Sequence, residues 1–283
     1  MDAVRFKIIS TEPCSIRDYF LSLHLGKSKI YRAFANGDVA VNGAVVPSDF
    51  LIREGDEVAF FLSENIDVAP LPSTLDVIFE DDYFLFVRKP RNLLIHPDGT
   101  KEETLFHRVA CYYKKKHIRR KIRCCNRLDY ETSGIVAFAK DPLSEAYLNG
   151  EIANRTADKY YYAVCRGRFG KKEGRIELPL GRDRHRSGRQ VVAPRGKEAS
   201  TEYRILKSGY YSVADIRLLT GRTHQIRVHF SSMNHPLVGD ALYGGEENAF
   251  LCLEAYRFDF IHPFTKKRES VKIEMDSELQ NYL

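Results

Sequence analysis

From residue 75 onward the chain reads as a succession of strands with too few helices between them to link a parallel sheet. Strand-like runs lie at 75–80, 83–88, 134–140, 159–164, 199–207, 210–219, 250–260 and 269–274. Helical spacing occurs at 105–116, 142–154 and 223–232 alone. Parallel neighbours need a crossover of a dozen or more residues, usually a helix, whereas antiparallel neighbours need only a turn. The pattern predicts an α+β fold on a mixed, mostly antiparallel sheet.

The first 62 residues follow another rule. Two short helices, 16–25 and 27–36, are separated by Gly26, and Gly37 before Asp38 ends the second with glycine in the usual capping position. Val39-Ala40-Val41 alternates as a strand, Asn42-Gly43 signals a tight turn, and 44–47 returns. Gly55-Asp56 turns the chain again before a strand at 57–62. Prolines 70 and 72 discourage both helix and sheet in the stretch that follows. The expected division is a small α/β domain at 1–66, a linker at 67–74 and a larger domain at 75–283.

Hydrophobic residues at 43 % and aromatics at 12 % suffice for a core. No apolar run approaches the ~18 residues of a membrane span. Residues 1–10 carry charges where a signal peptide needs an apolar stretch. The six cysteines form no C-x-x-C pair, and adjacent Cys124 and Cys125 would bridge only with strain. A reduced, cytoplasmic protein without a membrane partner is expected. The net charge of +6 leans weakly toward a polyanionic partner. Positive charge concentrates at 114–127 and 182–197, the latter rich in glycine and proline and expected as a loop. These are either solvated basic loops or clamps on a phosphate backbone. Because both flank segments that carry chemistry, the clamp reading is preferred.

The segment Asn126-Arg127-Leu128-Asp129-Tyr130-Glu131-Thr132-Ser133-Gly134 crowds charged and hydroxyl residues into a turn before an apolar strand. By composition alone, Asp129, Thr132 and Ser133 amount to an Asx or hydroxyl turn. Its wording, however, resembles the R-L-D-x-x-T-S-G motif of RluA-type pseudouridine synthases, whose aspartate is the essential catalytic residue. The likeness extends in family order along the chain. Lys89-Pro90 and His96-Pro97 are similar to the family's K-P…H-P turn, and Lys159-Tyr160-Tyr161-Tyr162-Ala163-Val164 to its K-x-Y strand. The run 196–203 resembles G-K-x-A-x-T-x-Y. Thr220-Gly221-Arg222-Thr223-His224-Gln225-Ile226-Arg227-Val228-His229 is the long T-G-R-T-H-Q-I-R-V-H motif. His235-Pro236-Leu237-Val238-Gly239-Asp240 with Tyr243-Gly244 resembles H-P-x-x-G-D…Y-G. In the first domain, Ile16-Arg17-Asp18, Lys29 and the run 36–43 resemble the small alpha-L RNA-binding domain also found in a ribosomal small-subunit protein. Two positions depart from the family, which usually has His where this chain has Asn126 and Glu254.

The resemblance implies the pseudouridine synthase fold and an isomerase that breaks a uridine's glycosidic bond, turns the base and rejoins it through carbon. It implies no cofactor. Asp129 would be the catalytic carboxylate, kept ionised by Arg227, with a surface ion pair as the alternative role of that arginine. Tyr161 would stack on the base or serve as general base, with Tyr160 and Tyr162 on the opposite strand face. Arg127 would fill the gap left by an extruded uridine. RNA contacts are implied at Thr132, Arg222, His224 and Gln225, and at Lys29 and Arg32 in the first domain. Thr223 is a plausible helix cap, from which Ile226, Phe230 and Met233 share a core face while His224 and Arg227 share a neighbouring stripe. His224 and His229, five apart, lie about 140° around a helix and do not pair as metal ligands do, so no metal is expected. Ribosomal RNA is the favoured substrate, transfer RNA the alternative, and a monomer the default. A non-catalytic RNA-binding protein that has kept the fold is the competing reading.

Overall fold

The computed structural model describes residues 2–9, 12–100 and 102–283; Met1, Ser10 and Thr11 of the expected first domain, and Lys101, lie outside them. The N-terminal unit comprises β1 (Asp2–Lys7), β2 (Cys14–Ser15), α1 (Ile16–Ser22), α2 (Lys27–Ala35), β3 (Val39–Val41), β4 (Ala44–Val45), β5 (Leu51–Ile52) and β6 (Glu57–Leu62). Ser15 caps α1 by accepting from the Asp18 amide at 3.1 Å. The helix stops at Ser22, short of the expected residue 25, as His24 turns left-handed at φ 61°. Asn42 and Gly43 both have positive φ, as a two-residue hairpin turn requires. The sheet runs β1-β6-β3-β4. Strand β1 was not expected, because its pairing with β6 is non-local and residues 2–7 alternate only weakly.

This unit shares its core with the rest of the chain. Phe6, Tyr19, Phe20 and Leu25 pack in one cluster with Leu143, Tyr147 and Phe264, and the Phe6 and Phe264 rings stack at 4.3 Å. Tyr83 donates its hydroxyl to the Arg5 carbonyl at 2.6 Å. Part of the 114–127 basic run is committed to the same junction: Arg120 pairs with Asp2 at 2.9 Å, and the buried Arg123 with Glu64 and Glu145. For Arg120 and Arg123 the clamp reading is therefore corrected to a structural one. The segment 63–75 has no regular structure, as its prolines dictate, yet Ile66, Val68 and Leu75 pack against the larger core.

The larger unit comprises β7 (Asp76–Glu80), β8 (Phe84–Lys89), α3 (Leu105–Lys115), β9 (Arg123–Cys124), β10 (Ser133–Ala139), α4 (Pro142–Ala153) and β11 (Asp158–Arg166). It continues through β12 (Glu173–Glu177), β13 (Leu180–Arg182), β14 (Gln190–Val192), β15 (Ser200–Lys207) and β16 (Tyr211–Leu218). It ends with α5 (Gln225–Ser232), β17 (Leu253–Ile261), β18 (Arg268–Lys272) and α6 (Ser277–Gln280). The main path is β12-β15-β16-β11-β17-β10-β8-β7, with β18 on β17 and β9 on β10. The expected α+β fold with a mixed, mostly antiparallel sheet is what the chain forms. Both faces of its middle are covered. Leu85 and Val87 pack beneath α3, while Phe84 and Phe86 pack on the other side with Phe258 and Phe260. Asp141 caps α4 through the Leu143 and Ser144 amides at 2.8 and 2.9 Å, with Pro142 in the first helical position. The 182–197 segment, expected as a loop, holds the β13–β14 hairpin.

Among the described pairings of this sheet, β10 with β17 is the parallel one, through Ser133↔Glu254 and Gly134↔Ala255. Gly134 has φ 117°, and a Cβ there would sit 2.2 Å from the Ala255 carbonyl oxygen. Only glycine fits. Gly134→Ala is expected to cost about 3 kcal/mol or more and to lower the melting temperature by about 10 °C. Gly170→Ala, whose Cβ would meet nothing within 4 Å, is the neutral control. A thermal melt checks both, and a Gly134→Ala curve matching wild type would sink the close-approach argument.

Candidate active site

The segment 126–132 leaves β9 and enters β10, and it is tied down on both sides of Asp129. Asn126 accepts from the Ala137 amide at 2.7 Å and donates to the Ile135 carbonyl at 3.2 Å, bridging the strand backbone. That is its role where the family usually has His. Leu128 packs against both neighbouring cores. The Thr132 amide donates to the Asp129 carbonyl at 3.1 Å, closing a four-residue turn. Beyond the turn, the buried Lys89 ammonium donates to the Pro90, Leu93 and Tyr130 carbonyls, each at 2.9 Å. Burial pulls Lys89 down to about 8, against the pull of the Asp129 charge. The turn that composition alone allowed is present, but its hydroxyls are not its glue: Thr132 Oγ1 and Ser133 Oγ are buried with no hydrogen-bond partner among the described residues.

Asp129, about a quarter exposed, faces α5. That helix starts at Gln225 rather than from a Thr223 cap, because His224 takes a left-handed φ of 55° immediately before it. Ile226 and Phe230 enter the core with Met233 packed against it. Arg227 Nη1 and His224 Nε2 each lie 3.9 Å from Asp129 Oδ2. Arg227 was expected to take Asp129 as its direct partner. Instead it makes a two-pronged pair with the fully buried Asp240 at 2.9 and 2.8 Å and lies 3.0 Å from Glu131. Burial opposes the Arg227 charge. Its hydrogen bonds to Asp240 and the surrounding carboxylates outweigh that, and hold it above its ordinary value. Sequence reasoning matched Asp240 to a motif without seeing that it holds Arg227.

A cavity of about 560 Å³ opens over Asp129. Tyr161 lines it from β11, buried among Ala163, Ile216 and Leu253, and burial with the nearby Asp129 charge pushes its phenol up. A phenol that stays protonated suits stacking on a base better than proton abstraction. Tyr160 and Tyr162 lie on the other strand face against Tyr256, the Tyr162 ring stacking at 3.7 Å. The cavity is also lined by Arg127, Arg155, Lys159, Arg222 and Arg227, with Asp129 as the one carboxylate among its described lining residues. Lys159 and Arg155 were not singled out in the sequence. Lys159 lies beside Gly221, where an added Cβ would come within 3.2 Å of its Nζ, so the two motifs fit together at that point.

The remaining expected residues divide sharply. Arg127 is exposed at the cavity and makes no ion pair among the described residues, while Arg222 at the rim donates to the Glu198 carbonyl at 2.9 Å. Gln225, expected at RNA, is corrected: its buried amide accepts from Thr220 and Arg222 and donates to Ser200 and Thr201, so both ends are occupied by protein. His229 likewise contacts Thr201 and the Leu178 carbonyl, on a different side from His224. Lys29 and Arg32 do not reach the Asp129 cavity; they line a second groove of mixed charge, with Lys121, Arg123, Asp38, Glu64, Asp67 and Glu145, that meets the first at His96, and Lys29 lies 3.6 Å from Glu145. Glu254 is fully buried, pairs with Arg88 at 2.7 Å and accepts from the Asp276 amide, so it docks the C-terminal segment.

A family model described as RNA pseudouridylate synthase matches residues 83–232. The chain belongs to that family. It is 33 % identical to the "Uncharacterized RNA pseudouridine synthase YhcT" of Bacillus subtilis over 92 % of this chain and 89 % of that protein. It is 35 % identical to "Ribosomal large subunit pseudouridine synthase D" of Yersinia pestis over 77 % of this chain and 69 % of that one. Among solved structures, "Human RNA Pseudouridylate Synthase Domain Containing 1" superposes with a TM-score of 0.60 at 25 % identity, over 71 % of this chain and 83 % of that chain. The chain is thus an RNA pseudouridine synthase, an isomerase, and its matched region contains the Asp129 turn, Tyr161 and Arg227.

Lys89 gives this site a pH limit. Below about 8 its ammonium has three protons for three carbonyls; above it, one carbonyl loses its donor and the Asp129 turn loosens. Turnover on an RNA substrate is expected to fall as pH rises through about 8, in a pH–rate profile. A rate that stays level to about pH 9 would contradict this role for Lys89.

Proposed function

We propose that this chain converts particular uridines of ribosomal RNA to pseudouridine with Asp129 as the nucleophile. The observation that carries the reading is a single carboxylate, faced by a buried arginine and beside a buried tyrosine, in a cavity whose other charged lining residues are cations. Such a cavity favours a polyanion, and cationic side chains that are not neutralised by protein carboxylates can meet phosphates directly. The relatives named for the ribosomal large subunit support ribosomal RNA as the substrate class.

In this reading the uridine leaves its stack and lies on Tyr161, at a cost of a few kcal/mol in lost stacking. Arg127, exposed and without an ion pair among the described residues, fills the space it vacates. The hairpin arginines Arg182, Arg184 and Arg186, all exposed, hold the backbone. Thr132, His224 and Arg222 meet the substrate at the cavity wall. The N-terminal 1–66 unit supplies a further RNA surface through Lys29 and Arg32, along the groove that meets the cavity at His96. The N1–C1′ bond breaks and a C5–C1′ bond forms; the hydrogen on C5 is lost as a proton and N1 gains one. No electron or group is gained overall, so the chemistry itself calls for no redox cofactor. Arg227 places its positive charge 3.9 Å from the carboxylate, while its hold on Asp240 leaves Asp129 free to move to the substrate.

The test maps pseudouridine in ribosomal and transfer RNA from cells lacking the protein, complemented with wild type or Asp129→Asn. One or a few ribosomal sites should vanish and return with wild type alone. Restoration by Asp129→Asn would remove the nucleophile, and loss confined to transfer RNA would overturn the substrate class.

A further inference from the structure

Tyr243 lies behind α5, buried, and its hydroxyl has two neighbours of opposite character. The Gln190 amide at the start of β14 donates to it at 2.9 Å. On its other side His224 Nδ1 lies at 2.8 Å. No other acceptor lies within hydrogen-bonding distance of this hydroxyl among the described residues. An amide N–H can only donate, so the phenolic oxygen accepts from Gln190. Its own proton then has one place to go, because a buried hydroxyl hydrogen without an acceptor is costly. That place is Nδ1 of His224. In a neutral imidazole one nitrogen carries the proton and the other accepts, so Nε2 carries it here. Nε2 is the nitrogen that faces Asp129 Oδ2.

We propose that Tyr243 is a positioning residue of the reaction centre: it fixes His224 as the Nε2–H tautomer, which presents a neutral donor to Asp129 and ties that donor to the basic hairpin. Burial lowers the His224 basicity more strongly than the Asp129 charge raises it, with Arg227 opposing protonation as well, so the neutral ring is the form to consider at pH 7. Asp240 and Glu131 are the other charges that face it. At 3.9 Å Nε2 faces Asp129 Oδ2 without bonding it, so the carboxylate keeps a neutral donor in reach with no second cation beside Arg227, which leaves it the stronger nucleophile. The Tyr243 ring is held independently of its hydroxyl. It packs edge-on against His224, with the Arg227 and Arg189 guanidinium groups 5.2 and 5.5 Å from its centre. Removing the hydroxyl alone therefore leaves the packing in place. Gln190 pairs with Arg182 at the loop end of the hairpin, whose arginines Arg182, Arg184 and Arg186 are exposed. The hairpin that would meet RNA and the donor that faces Asp129 thus share one hydroxyl.

The inference rests on Asp129 as the nucleophile, and its first readout needs no turnover. Nitrogen-15 NMR of the wild-type protein at neutral pH should give the His224 ring in its Nε2–H form, and Tyr243→Phe should give a mixture of tautomers. In kinetics, Tyr243→Phe should lower kcat about ten-fold with KM for RNA within about two-fold. The same change made in His224→Ala should cost nothing further. A wild-type ring protonated on Nδ1, or a Tyr243→Phe loss of equal size in the His224→Ala background, would overturn the proposal. Turnover retained by Asp129→Asn would instead remove the nucleophile reading beneath it.

Discussion

The buried pair of Arg227 and Asp240 is the interaction on which the site depends. A guanidinium with about 3 % of its side chain exposed is stable only if its charge and its planar donors are matched. Asp240 matches them through two parallel hydrogen bonds. The carboxylate arrives on a turn whose Gly239 backs directly onto the Phe250 carbonyl, where a Cβ would lie 1.9 Å away. With its strong partner supplied from behind, Arg227 can face Asp129 at 3.9 Å without closing on it. Two motifs far apart in purpose, the long helix motif and the H-P-L-V-G-D turn, are thus one device.

The same logic of matched charge sorts the basic residues of the chain. Arg120 and Arg123, inside the densest basic run, are bound to carboxylates at the junction of the two units. Arg88 and Arg91 are bound to Glu254, Asp276 and Glu278, holding the C-terminal segment. Around the Asp129 cavity, Arg127, Lys159 and Arg222 make no ion pair among the described residues, and neither do Arg182, Arg184 and Arg186 of the β13–β14 hairpin. Local density of lysine and arginine does not predict which ones are available, because availability depends on what packs against them.

Much of this was legible in the sequence, for stated reasons. The antiparallel succession of strands was readable because strand periodicity is local, and Asp129, Tyr161 and Arg227 share a cavity because their motifs carry the fold's geometry with them. What escaped was non-local. Strand β1 pairs with β6 across 50 to 60 residues, so its existence depends on both ends meeting. Gln225 was expected at RNA from the motif it sits in, yet the Thr220–Arg222 turn folds back onto its amide. Glu254 read as a departure from family pattern until Arg88 and the Asp276 amide appeared beside it. Lys89 sat in a recognised motif, but three carbonyls from two separate loops were needed to reveal its purpose.

The central claim is that Asp240, outside the cavity, sets the activity of Asp129 through Arg227. The direct measurement is release of tritium from RNA labelled at uridine C5, using purified wild type and Asp240→Asn. The amide keeps the shape of the carboxylate but removes its charge and turns a donor toward the guanidinium. The account predicts at least about a ten-fold slower release with RNA affinity little changed. Release at the wild-type rate would contradict it.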